Sequence, residues 1–137
     1  MHLLISASSE GMDELALVRR HCELGKLLQH YGKNLQTVVG SYNGVRELTW
    51  HLEEVSTSNA ALRTLAKHFN QKSFMLYWPK AMIAEIYHLG ESPLYDSQET
   101  IQIVEVTRIS GRQLPENYTM FKDHRYLMRL EDYVPST

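Results

Sequence analysis

Asn43-Gly44 is the feature that most constrains how this chain can fold. It interrupts the stretch GSYNGVRELTWHLEE, residues 40–54. An Asn-Gly pair between two strand-like runs predicts a two-residue type I′ turn, because both central positions need positive φ. So tight a turn sets the register of the strands on either side. Tyr42 then faces Val45, Ser41 faces Arg46, Gly40 faces Glu47, Val39 faces Leu48 and Thr37 faces Trp50. Alternation sorts these side chains into two sets. Leu35, Thr37, Val39, Leu48, Trp50 and Leu52 form an apolar face suited to packing under helices. Gly40, Tyr42, Val45, Glu47, Thr49 and His51 form the other face, which carries a carboxylate and a phenol beside the gap left by a glycine.

The rest of the chain supplies partners for this hairpin. Leu3–Ile5 reads as a short first strand. Leu17, Leu24, Leu28 and Tyr31 recur at helical spacing, with Leu27 widening the stripe. Asp13 and Glu14 stand at the start of that helix and Gly32 after its end, as start and stop signals require. Ser56–Ser58 offers caps for a second helix with Leu62, Leu65, Ala66 and Phe69 on one stripe. Strands follow at 73–78 and 82–88, a loop at 90–98, another strand at 101–109, and a closing pair at 117–121 and 125–130. Strand, helix, hairpin, helix, strand is the βαββαβ order of a ferredoxin-like α+β sandwich. The expected fold is that sandwich with additional strands, an antiparallel sheet with both helices on one face and the second face open. The 137 residues make one domain, 1–137.

Composition excludes several function classes. A net charge of -2 argues against nucleic acid as the main partner. The longest apolar runs, such as Phe74–Trp78, are of strand length, so no membrane span is expected. One cysteine, Cys22, cannot make an internal disulfide and suits the cytosol. It reads as buried filler in the first helix. The seven histidines fall into no His-x-x-x-His or Cys/His pattern, so no metal set is expected. Arg19-Arg20-His21 is most simply a solvated helix face, and Trp50 and Trp78 fit core positions. Glu47 and Tyr42 admit a plain reading too: a solvated carboxylate on an open sheet, and a hairpin-tip aromatic.

The stretch RRHCELGKLLQHYG…VVGSYNGVRELTW, followed by LAKHFNQKSFMLYW, resembles the small bacteriophage S-adenosylmethionine lyases, formerly called hydrolases. The shared elements are an Arg/His-bearing first helix, a Gly-x-Tyr turn, a glutamate opening the next strand, and a second helix leading into a Gln-headed strand. The ending NYTMFKDHRYLMRL is similar to that family's C-terminal pattern. The resemblance spans most of residues 15–130. It places the family's tyrosine on Tyr42, its glutamate on Glu47 and its glutamine on Gln71. In the family the tyrosine and glutamate are separated by a longer hairpin, so Glu53 and Glu54 stand as alternative carboxylates.

The resemblance implies a homotrimer with each substrate bound between subunits against the open sheet face. Tyr42, Glu47 and Gln71 would be catalytic, with Gly40, Ser41, Val45 and Ser73 also contacting substrate. It implies no metal and no cofactor, since S-adenosylmethionine brings both electrophile and nucleophile. Attack of the methionine carboxylate on the carbon next to the sulfonium gives homoserine lactone and 5′-methylthioadenosine. A phage-encoded enzyme of this kind acts in the host cytoplasm against restriction, and the family also engages S-adenosylmethionine synthetase. A non-catalytic trimeric module of the same fold, binding a ligand or a host protein, is the alternative.

Overall fold

The computed structural model describes residues 1–9, 11–89, 100–110 and 114–133. The expected loop at 90–98 lies outside them. Among the described residues the elements are β1 (His2–Ile5), α1 (Glu14–Leu28), β2 (Lys33–Tyr42), β3 (Val45–Glu53), α2 (Asn59–His68), β4 (Ser73–Trp78), β5 (Ile83–His88), β6 (Thr100–Ile109), β7 (Tyr118–Met120) and β8 (Tyr126–Arg129). Both helix starts are capped by side chains: Asp13 Oδ1 accepts from the Ala16 N–H at 2.8 Å and Ser58 Oγ from the Ala61 N–H at 3.2 Å.

The hairpin forms as its turn dictates. Asn43 and Gly44 have φ of 51° and 82°, and β2 pairs with β3 in the expected register, Gly40 opposite Glu47 and Tyr42 opposite Val45. The turn is further tied down from outside. Asn117 Oδ1 accepts from the Asn43 N–H at 3.0 Å, and the Glu116 carbonyl from the Gly44 N–H at 3.1 Å.

The fold is a closed antiparallel barrel, in the order β1-β3-β2-β7-β8-β6-β5-β4 and back to β1. The expected ferredoxin-like sandwich with an open face is therefore incorrect. Helices do lie against one side of β4-β1-β3-β2, but the later strands do not simply extend that sheet. β7 pairs with the free edge of β2, β8 joins β7 to β6, and β6 pairs with β5. Exposed strand edges are open rows of hydrogen-bonding groups, and closure removes them.

Closure turns the supposed open face into a lumen. One core lies outside the barrel wall, where Leu24 and Leu28 of α1 and Leu62, Leu65 and Ala66 of α2 cover Leu3, Ile5, Leu52, Phe74 and Leu76. A second core fills the interior with Leu4, Val38, Tyr77, Ala84, Val106, Phe121 and Leu127. Val38, on the same face as Gly40 and Tyr42, is buried by its own chain.

Helix α1 is fitted to the wall through Trp50. The His21 ring stacks on the indole with centroids 4.1 Å apart and planes 2° from parallel. The indole N–H donates to the His21 carbonyl at 2.7 Å. A Cβ on Gly25 would sit 2.5 Å from Trp50 Cζ2, so the close approach requires glycine. His21 is thus buried, correcting its reading as part of a solvated face, and Cys22 on the next position is exposed, not core filler.

Candidate functional site

Strand directions define two ends of the lumen. At one lie the Asn43-Gly44 turn, the segment leaving β1 at Ser6, and the start of β4 at Ser73. At the other lie His2, His51, Tyr77 and Phe121.

Tyr42 and Glu47 meet at the hairpin end. The Tyr42 ring lies over Gly40: a Cβ there would be 3.0 Å from Tyr42 Cε2 and 2.7 Å from Thr49 Oγ1. The gap anticipated at Gly40 exists, and it is filled by the phenol ring. Burial pushes the Tyr42 hydroxyl well above its ordinary range, helped by the nearby Glu47 charge and opposed by a hydrogen bond with Thr119.

Glu47 is half-buried, and burial raises its carboxyl from 4.5 to about 7. Hydrogen bonding with Ser6 pulls the other way. That pull is weak for a physical reason: a hydroxyl has one proton, and Ser6 already donates to the Leu48 carbonyl at 2.8 Å. Burial wins. Thr49 Oγ1, one inward position further along β3, is fully buried and has no hydrogen-bond partner among the described residues. The hairpin end thus combines a carboxyl that titrates near neutrality, a protonated phenol and an unsatisfied hydroxyl.

The other expected site residues divide. Gln71 reaches this end through the backbone, its Nε2 donating to the Ser8 carbonyl at 2.9 Å and the Phe69 carbonyl at 3.1 Å. The Ser8 N–H in turn donates to Ser6 Oγ at 3.0 Å. Gln71 therefore braces the segment beside Glu47. Ser73 opens β4 at the same end, half-buried. Val45 is 63 % exposed at the turn. Ser41 points away from the lumen, donating to the Glu116 carbonyl at 2.9 Å. It lines an outer hollow of about 340 Å³ with Arg46, Leu114, Pro115 and Tyr118.

The alternative carboxylates do not join Tyr42. Glu54 is paired with Lys33 at 3.3 Å on the surface, and Glu53 lies at the far end, where Asn34 Nδ2 donates to it at 2.6 Å.

That far end holds a cluster no sequence spacing indicated. His2 Nδ1 and His51 Nε2 are 2.8 Å apart, and ligand atoms of His2, His51 and Glu53 all lie within 4.8 Å of one another. Burial lowers both histidines, His51 to about 4. His2 and His51 are 49 residues apart in sequence, and only the β1–β3 pairing brings them together. The available signal was alternation, which puts His51 and Glu53 on one face of β3.

No protein-family model matches this chain, and no curated protein matches it. No helix among the described residues is long and apolar enough to cross a membrane.

Proposed function

We propose that the protein is an S-adenosylmethionine-degrading lyase, acting at the hairpin end of the barrel. The observation that carries this reading is the meeting of Tyr42 and Glu47 over Gly40, the residues on which the resemblance falls. In the proposed reaction, an oxygen of the substrate's own carboxylate attacks the carbon next to the sulfonium. The C–S bond breaks, its electron pair stays on sulfur, and the products are homoserine lactone and neutral methylthioadenosine.

Two charges cancel in that step, so a site serves it by holding the folded conformer and removing water. Orientation alone can lower such a barrier by ~7–11 kcal/mol in favourable cases. A fixed anion against the sulfonium would favour the ground state over the less charged transition state and slow the step. A carboxyl that is about half neutral at pH 7 is a mild neighbour in this respect. Glu47 is assigned to the substrate ammonium or an ordered water, Tyr42 to the methionine half through its ring face, and Gln71 to positioning the segment from Ser6 to Ser8.

In this reading the protein is phage-encoded and acts in the host cytoplasm, with S-adenosylmethionine synthetase as a candidate partner. A homotrimer, also implied by the resemblance, would cover Val45 and Leu48, which are 63 % and 36 % exposed beside the turn. Sedimentation near three times 15.9 kDa is the expected outcome.

The deciding experiment is incubation of purified protein with S-adenosylmethionine in heavy-oxygen water, quenched early. Methylthioadenosine with unlabelled homoserine lactone supports the lyase. Homoserine labelled on its side-chain hydroxyl, without prior lactone, would make water the nucleophile and Glu47 its general base. Binding without turnover would favour a non-catalytic module.

A further inference from the structure

We propose that His2, His51 and Glu53 form a divalent-cation site at the barrel end opposite the hairpin, suited to a zinc-like ion. The two imidazole nitrogens aim at each other across 2.8 Å, and only one of them can carry a proton between them. A cation there replaces that shared proton and takes a lone pair from each ring. With Zn–N bonds of ~2.0–2.1 Å and right-angled to tetrahedral coordination, two ligating nitrogens stand about 2.9–3.4 Å apart. The observed pair needs to open by a few tenths of an ångström, with each ring turning so that its lone pair points at the ion and not at the other nitrogen.

The third ligand is held in place. A bulge between Lys33 and Gln36, with Asn34 at φ 52°, interrupts β2, and the Asn34 amide donates to Glu53. Such a partner orients a ligating carboxylate. The rings are walled by aromatic neighbours: Tyr77 edge-on to His2 at 5.7 Å and Phe121 edge-on to His51 at 4.9 Å. The terminal ammonium of Met1 opposes an ion beside His2, and so does Arg108. Arg108 lies over the Phe121 ring at 4.2 Å and is bound to Asp123 at 2.6 Å, which offsets its charge.

Two imidazoles and one carboxylate are the ligand mixture that borderline first-row cations prefer, and three protein ligands leave a position for water. The ion would tie β1 to β3 at the barrel end. The site is separate from Tyr42 and Glu47 and stands whether or not the protein is a lyase.

The test uses the untagged full chain, freed of metal and titrated with Zn2+ by calorimetry and with Co2+ by visible absorption. One ion per chain and a cobalt spectrum of nitrogen–oxygen ligation are expected, with a raised unfolding temperature in zinc. His2→Ala and Glu53→Gln should each weaken binding by at least ~10-fold. His88→Ala, an exposed residue paired with Ser73 at the opposite end of the barrel, should leave it unchanged. Glu53→Gln keeps the shape of a half-buried side chain, so it remains informative if His2→Ala fails to fold. No uptake of Zn2+, or uptake unaltered in both ligand variants, overturns the site.

Discussion

At Glu47 a carboxyl group sits between a phenol ring and a serine whose proton is already engaged, and the cost of burying its charge becomes a pH dependence. Its carboxyl titrates at about 7 in the folded chain against 4.5 ordinarily. Between those values the folded state keeps a proton that the unfolded chain has released, so stability falls as pH rises through that window. The loss is complete above about pH 7. Replacing Glu47 by Gln removes the penalty. Glu47→Gln should be more stable than the parent by ~1–3 kcal/mol at pH 8, after allowance for partial solvation, with the gain vanishing toward pH 4. Denaturant unfolding at the two pH values measures this, and a gain independent of pH would mean that Glu47 is solvated. If Glu47 holds the substrate ammonium as a carboxylate, kcat/KM should rise through about pH 7 and that limb should disappear in Glu47→Gln. Tyr42→Phe keeps the ring over Gly40 and should cost less activity than Glu47→Gln.

At the scale of elements, α1 depends on one position of close approach. Gly25 lets the helix meet the Trp50 ring, and a methyl group there would fall 2.5 Å from Cζ2. Gly25→Ala should destabilise the protein by ~1–3 kcal/mol, although alanine is the better helix former, because overpacking outweighs propensity. Urea unfolding gives the size of the effect, and near-UV circular dichroism reports whether the Trp50–His21 stack is lost. A stabilising Gly25→Ala would mean that α1 stands off from β3. The sequence showed the helix but not all of its buried side. Its inward stripe is His21, Leu24, Gly25 and Leu28, while Leu27 is 41 % exposed. A histidine and a glycine carry little hydrophobic signal, so periodicity alone shifted the face toward Leu27. In α2 every inward residue is apolar or small, and Leu62, Leu65, Ala66 and Phe69 are all buried as expected.

For the whole molecule, closure is what gives the lumen its second wall. β7, β8 and the turn between them contribute Phe121 and Leu127 to the interior, and Tyr118 and Met128 are also buried. Each large apolar side chain stabilises by ~1.5–3 kcal/mol when buried. The four together are comparable to a whole domain's stability of ~5–15 kcal/mol. A chain ending at residue 110 should therefore lose its cooperative unfolding transition and bind hydrophobic dyes strongly. An open sheet with helices on one face would keep a folded core after that truncation. A cooperative, dye-silent truncated chain would thus refute the barrel.

The strands, the two helices, the Asn43-Gly44 turn and the register across it were all legible in sequence, because each depends on neighbours a few residues away: a turn's φ preference, a cap, an alternation. The pairing of Gly40 with Glu47 follows from the turn alone, and with it the shared face of Tyr42 and Glu47. What lay on the far side of that face was not local. Val38, Thr49 and His51 follow the same alternation whether they face solvent or a lumen, and only the pairing of β7 with β2 separates the two. The same closure raises Glu47 by burial. The His2–His51–Glu53 cluster likewise depends on strands that meet across long stretches of chain, where no spacing rule reaches. Local chemistry determined the elements and their faces, and the tertiary structure decided which face is inside, because burial belongs to the closed sheet and not to any strand within it.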